Sequence, residues 1–288
     1  MSFSQDVKEE LSRHISPSRH CQLAELAAMM HFCGQYGRDR DGYYTIGFQT
    51  ENEAVSRKVF TLLKKTYNIN TGAGIGEEQM QDFLSGIGNL DEPVSSMLIK
   101  NSCCQRAFLR GAFLSVGSIS DPAKGYHLEF VCTDAKKAGQ LCKVLQGFDI
   151  DGKIVLRKKY HVVYLKEGES IVDLLNVCEA HVALMEFENL RILKEMRNSI
   201  NRRVNCEAAN ITKTVNAATR QTEDIEYIQS HGGLGQLPDN LRQIAEVRLE
   251  YPDASLKELG EYLDPPVGKS GVNHRLRKLS EFAEKLRI

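Results

Sequence analysis

No stretch of this 288-residue sequence approaches the ~18 consecutive apolar residues that a membrane-spanning helix requires. Nor does it open on the apolar core of a secretory leader, because Asp6, Lys8, Glu9 and Glu10 fall where that core would lie. The chain is therefore expected in the cytoplasm, with no membrane partner. Charge of one sign is missing as well: 37 Lys and Arg stand against 38 Asp and Glu, for a net charge of −1. The molecule as a whole has no pull on nucleic acid or acidic lipid, so any polyanion surface must be local. A disulfide framework is also lacking. The eight cysteines are scattered, with Cys103 and Cys104 adjacent, and reduced thiols are the expectation. At 42% hydrophobic and 26% charged residues, the composition excludes a disordered or fibrous chain, and the length fits about two domains of ~150 residues.

What is present is an internal repeat. A shift of 83 residues places Leu26 on Leu109, Gly34 on Gly117, Gly42 on Gly125, Tyr43 on Tyr126, Thr50 on Thr133 and Leu62 on Leu145. Each copy is predicted to begin with an apolar helix, residues 23–33 and 107–116, that stops at a glycine suited to a left-handed helix end. A turn follows, then an alternating, aromatic-rich strand at 43–49 or 126–132. A second helix starts after Thr50 or Thr133, and Val55, Val59, Leu62 and Leu63 share one face of it in the first copy. In the second copy, 154–156 and 162–165 read as a hairpin with Arg157, Lys158 and Lys159 near its tip. The unit is α-β-β-α-β-β-like and occurs twice. Its leading helices carry small residues, Ala24, Ala27 and Ala28 in one and Gly111 and Ala112 in the other. That pattern suits two helices packed on each other at a pseudo-twofold axis; the plain alternative is each helix against its own sheet.

Leu109-Arg110-Gly111-Ala112-Phe113-Leu114-Ser115-Val116-Gly117 resembles the LAGLIDADG motif of homing endonucleases, and residues 26–34 are a fainter copy. The run from Cys103-Cys104-Gln105-Arg106 to Phe113, and the Met1-Ser2-Phe3-Ser4 opening, resemble the bacterial WhiA family, a likeness that covers nearly the whole chain. The resemblance implies an α+β fold: a duplicated LAGLIDADG-like αββαββα N-terminal domain with an all-α helix-turn-helix C-terminal domain. It places the first domain at 1–190, with repeats at about 20–100 and 103–190, a basic linker at 191–209, and the helix-turn-helix, similar to a sigma-factor promoter-recognition domain, at 210–288. It further implies roles in transcription control, cell division and chromosome segregation, with sporulation in some bacteria.

Metal-assisted cleavage of a phosphodiester needs a carboxylate to hold a hard divalent cation beside the phosphate. In the nuclease family that ligand precedes the final glycine of the motif; here Cys33 and Val116 stand there, a poor Mg²⁺ ligand and none at all. Asp39, Asp41 and Asp121 in the following turns are the residues that could substitute, although loop carboxylates are usually turn formers. The expectation is a DNA-binding scaffold with no catalytic residues, no metal and no cofactor.

The C-terminal third reads as helical throughout. Arg191, Lys194, Arg197, Arg202 and Arg203 against Glu195 make a basic segment, whose alternative is a solvated helix exterior. A helix is predicted over 211–229, ending at His231-Gly232-Gly233, and another from near Pro238 to before Pro252. Ser255 and Glu258 have capping-box spacing, and Leu256, Leu259, Gly260 and Leu263 form a buried stripe. Asp264-Pro265-Pro266-Val267-Gly268 breaks that helix, and Ser270 is the expected N-cap of the next, whose buried side is Val272, Leu276, Leu279, Ala283 and Leu286. Its outer face then carries Ser270, Asn273, His274, Arg277 and Lys278, with Arg275 at the flank, and residues 265–288 hold six basic and two acidic side chains. The pattern suits a recognition helix on double-stranded DNA, with Arg277 and Asn273 for bases and Lys269, Lys278, Arg202 and Arg203 for phosphates. Arg157, Lys158 and Lys159 offer a second DNA contact or simply a solvated hairpin tip.

Other signals are weaker. Gly268-Lys269-Ser270 ends like a phosphate-binding loop, but Leu263 occupies the required glycine position. Gly72, Gly74 and Gly76 are followed by Glu77 where a dinucleotide fingerprint needs glycine. His20, Cys21, His31 and Cys33 are ligand types without a recognised zinc spacing. Two competing readings remain open from sequence: an active metal-dependent endonuclease, and a scaffold for division proteins. Operator sequence, protein partners and oligomeric state are not written in the residues.

Overall fold

Helix α1 (Phe3–Arg13) starts at a capping box, the Ser2 hydroxyl accepting from the Gln5 N–H while the Gln5 side chain accepts from the Ser2 N–H. The structure, a computed structural model, describes residues 2–70 and 74–287. Met1 of the opening motif and Gly72 of the glycine-rich turn thus lie outside the described residues. The chain divides into two units, Met1–Glu195 and Met196–Ile288.

In the first unit, α2 (Arg19–Cys33) and α5 (Ser102–Val116) are the leading helices of the two copies. They pack on each other, as the small residues suggest: Ala24, Ala27, Ala28 and Ala112 are fully buried, and a Cβ on Gly111 would sit 2.5 Å from the Glu25 carbonyl oxygen. Each helix runs straight into a strand, β1 (Gly34–Arg38) or β3 (Gly117–Ile119), where the sequence suggests a turn. Gly34 and Gly117 are extended, with φ of −80° at both, and not left-handed. They are glycine for a different reason: a Cβ would lie 2.6 Å from the Met30 carbonyl oxygen at one and 2.7 Å from the Phe113 carbonyl oxygen at the other.

β1 pairs antiparallel with β2 (Tyr44–Phe48), and β3 with β4 (Leu128–Cys132). The second helices follow as read, α3 (Glu53–Tyr67) capped by Asn52 and α6 (Ala135–Gln146) capped by Asp134. Val55, Val59, Leu62 and Leu63 form the buried face of α3. In the second copy, β5 (Lys153–Arg157) and β6 (Tyr160–Leu165) complete an antiparallel sheet of order β3-β4-β6-β5, and α7 (Gly168–Val177) closes the unit. The first copy departs from this: among the described residues its sheet has two strands, Ile75 bridges to Tyr44, and α4 (Glu77–Ile87) follows.

One polar cluster lies in this core. Glu25 meets the Lys58 ammonium at 2.5 Å and Arg110 Nε at 3.0 Å; Arg110 also donates to Glu179 at 2.8 Å, and His14 Nε2 lies 2.8 Å from the same carboxylate. Burial pushes the Lys58 ammonium below its ordinary value and Glu25 pulls it back. The ion pairs leave no bare charge in the helix interface.

Helix α8 (His181–His231) is much longer than the predicted 211–229, and the basic segment 191–209 lies within it. It ends as expected, the Gly232 and Gly233 N–H groups donating to the Ile228 carbonyl and Gly233 taking φ 75°. In the second unit its last turns bury Ile225 and Ile228 against α9 (Asp239–Glu250), α10 (Leu256–Glu261) and α11 (Lys269–Arg287). Ser255 and Glu258 make the predicted capping box. Ser270 is not the N-cap of α11: the helix is already under way at Lys269, and the Val272 N–H donates to the Gly268 carbonyl.

Candidate nucleic-acid interface

The turn between α10 and α11 is fixed by backbone contacts. The Val267 N–H donates to the Gly260 carbonyl at 2.9 Å, and the Val267 carbonyl lies where a Cβ on residue 260 would be. Only glycine lets the chain fold back so closely. Arg248, almost wholly buried, pins the neighbouring loop by donating to the Pro252 and Ala254 carbonyls and to Gln221.

With Val272, Leu276, Leu279 and Ala283 buried, α11 is fixed in rotation about its axis. Lys269, Ser270, Asn273, His274, Arg277 and Lys278 are exposed and Arg275 is half-buried. Two side chains are partly engaged. Arg277 Nε is 3.5 Å from Glu281 Oε1, and Asn273 lines a groove of about 200 Å³ with Lys213, Thr214 and Gln221. Arg202 and Arg203 are exposed on α8, Arg202 donating to the Asn198 carbonyl and Arg203 3.8 Å from Glu207. Arg157 is paired with Glu129 at 3.1 Å, while Lys158 and Lys159 form the two-residue turn between β5 and β6, with Lys158 at φ 57°.

Three family descriptions match in order: the WhiA N-terminal LAGLIDADG-like domain over residues 19–78, the WhiA LAGLIDADG-like domain over 105–197, and the WhiA C-terminal HTH domain over 200–283. The chain is 51% identical to the probable cell division protein WhiA of Lachnoclostridium phytofermentans, with all of each chain covered. It belongs to the WhiA family. A WhiA of the same description from Alkaliphilus oremlandii is 49% identical over 99% of this chain and 98% of its own. The crystal structure of full-length DUF199/WhiA from Thermatoga maritima has the same fold, with a TM-score of 0.59 at 27% identity and 99% of each chain covered. The fold is thus α+β with a LAGLIDADG-like N-terminal part and a helix-turn-helix C-terminal part.

Cys33 and Val116, expected from the motif to stand at the metal-ligand positions, end α2 and α5. At the foot of the α2–α5 pair, Cys33 Sγ faces the Ser115 carbonyl at 3.6 Å, beside Val116. Burial pushes the Cys33 thiol up, while the nearby ammonium groups of Lys8 and Lys137 pull it down. The turn carboxylates serve their own backbones: Asp39 accepts from the Asp41 and Tyr43 N–H groups at 3.0 and 2.9 Å, and Asp121 accepts from Ala123 at 2.9 Å. Sequence reasoning missed a different cluster. His20, Cys21, Cys103 and Cys104 converge at the opposite ends of the same helices, their ligand atoms all within 4.8 Å of one another.

Proposed function

We propose that this chain is a non-enzymatic bacterial DNA-binding protein that regulates transcription in the service of cell division and chromosome segregation, acting in the cytoplasm at the nucleoid. The observation that supports this reading best is the exposed row on α11, a helix whose opposite face is locked into the core of the second unit. Such a helix enters the major groove with a defined face toward the base edges. Arg277 reads guanine through a bidentate pair and Asn273 reads adenine, while Lys269, Lys278, Arg202 and Arg203 neutralise phosphates. Glu281 does not prevent this. An exposed pair at this spacing is worth about 0.3–0.5 kcal/mol, against roughly 1–3 kcal/mol for a good base contact. The probable cell division proteins among its relatives support the cellular role.

The test is a binding titration on a selected duplex and on its scrambled counterpart across a range of salt. Arg277→Ala should lose affinity for the selected duplex alone. Lys278→Ala should weaken both and lower the salt slope by about one unit. Equal losses on both duplexes for Arg277→Ala would remove it from base recognition. The absence of catalysis is supported by the donor chemistry at the ends of the two motif copies, where Cys33 and Val116 offer a divalent cation no carboxylate. Cleavage by purified protein with Mg²⁺ or Mn²⁺, abolished by Asp121→Ala, would refute that part.

A further inference from the structure

We infer that His20, Cys21, Cys103 and Cys104 form a structural zinc site that clamps together the N-terminal ends of α2 and α5. Their four ligand atoms already lie within 4.8 Å of one another, with His20 Nδ1 3.2 Å from Cys104 Sγ and 3.4 Å from Cys21 Sγ. Tetrahedral zinc with bonds of ~2.3 Å to sulfur and ~2.0 Å to nitrogen needs ligand atoms roughly 3.5–3.8 Å apart. The His20 contacts with Cys21 and Cys104 are within a few tenths of an ångström of that spacing, and no pair in the cage exceeds it by more than about 1 Å. Three sulfurs and one imidazole nitrogen are a closed donor set of the structural type, with no position left for water or substrate.

Three further features fit. The ligands obey the internal repeat: the 83-residue shift that aligns the two copies carries His20 onto Cys103 and Cys21 onto Cys104, so each helix supplies its second and third residues. The candidate N-caps Ser18 and Asn101 make no side-chain capping hydrogen bond, so both helix ends keep unmatched positive dipole. Zinc with three thiolates and a neutral imidazole carries a net charge of −1, which those two ends stabilise. Cys21 and Cys104 are buried whereas His20 and Cys103 are exposed, which gives an ion a way in. No zinc spacing is visible along the chain because the two ligand pairs belong to different repeats.

The experiment uses the full-length protein purified under reducing conditions and exchanged against zinc. Elemental analysis should find one zinc per chain. Replacement by cobalt should give tetrahedral d–d bands with sulfur-to-cobalt charge transfer. Cys104→Ser should bind none, Cys206→Ser on α8 should keep the full complement, and zinc removal should lower the melting temperature of the wild type but not of Cys104→Ser. His20→Cys guards against simple misfolding: it supplies a fourth thiolate, so it should retain the ion and strengthen the charge-transfer band. Folded wild-type protein without zinc, a Cys21–Cys104 disulfide in its place, or unchanged stoichiometry in Cys104→Ser would each overturn the site.

Discussion

The buried cluster around Glu25 makes a graded prediction. Glu25 is the anion shared by Lys58 and Arg110, whose side chains are 0% and 3% exposed. Glu25→Gln preserves shape and one acceptor oxygen but removes the negative charge that Lys58 and Arg110 share, and it sets an amide NH2 where an oxygen faces the Arg110 guanidinium. Removing one partner of a buried pair typically costs about 3–5 kcal/mol, because the other charge stays in the core uncompensated. For a unit of this size each kcal/mol moves the midpoint by roughly 2–4 °C, so the first unit should melt about 6–20 °C lower. Arg110→Met should cost less. Glu25 would keep Lys58 at 2.5 Å, and Glu179, 35% exposed, would turn to water and His14. Thermal melts of the three proteins by far-ultraviolet circular dichroism would rank them. If Glu25→Gln melts within about 2 °C of wild type, or Arg110→Met is the worse of the two, the charge assignment in this core is wrong.

Acid should weaken the same cluster through a different group. Burial, aided by Arg110, holds the His14 imidazole below its ordinary value, so the folded state keeps it neutral where the unfolded chain takes up a proton. Stability should be full above about pH 6.5, decline as pH falls through that value and level off below the folded one. His14→Gln should flatten this decline, seen as urea midpoints that no longer drop on that side. In the second unit, Gly260→Ala forces a Cβ onto the Val267 carbonyl, a backbone clash that no side-chain movement relieves. It should cost about 1–3 kcal/mol and weaken duplex binding at constant temperature; a full-affinity variant would show that the turn does not position α11.

Local signals in the sequence transferred well to the structure. The faces of α3 and α11, the prolines bounding α9 and the Ser255 box depend on residues within a few positions of one another. Strands β1 and β3 were hidden because Gly34-Gln35-Tyr36-Gly37-Arg38 and Gly117-Ser118-Ile119 have little intrinsic strand character and are held by their partners. The length of α8 had a readable sign, the absence of Pro and Gly between Ala180 and Gly232. A basic stretch nevertheless looks like a linker, although Ile192, Met196, Ile200, Val204, Ile211 and Val215 recur along it at helical spacing. On α11, spacing fixed which side chains face outward, but the Arg277–Glu281 contact and the groove beside Asn273 depend on the folded neighbourhood. The His/Cys cluster required knowing that two segments 83 residues apart share one helix pair.

The joints at Cys33–Gly34 and Val116–Gly117 have a consequence for how this scaffold can vary. No spare residue separates helix from strand, so the roll of each helix dictates which side of the sheet every following residue occupies. One amino acid inserted at Val116–Gly117 would turn Ile119 outward and Ser118 inward, exchanging the wet and dry faces of β3. The hairpins have room to lengthen, whereas the seam at Val116–Gly117 takes no extra stitch without turning β3 inside out.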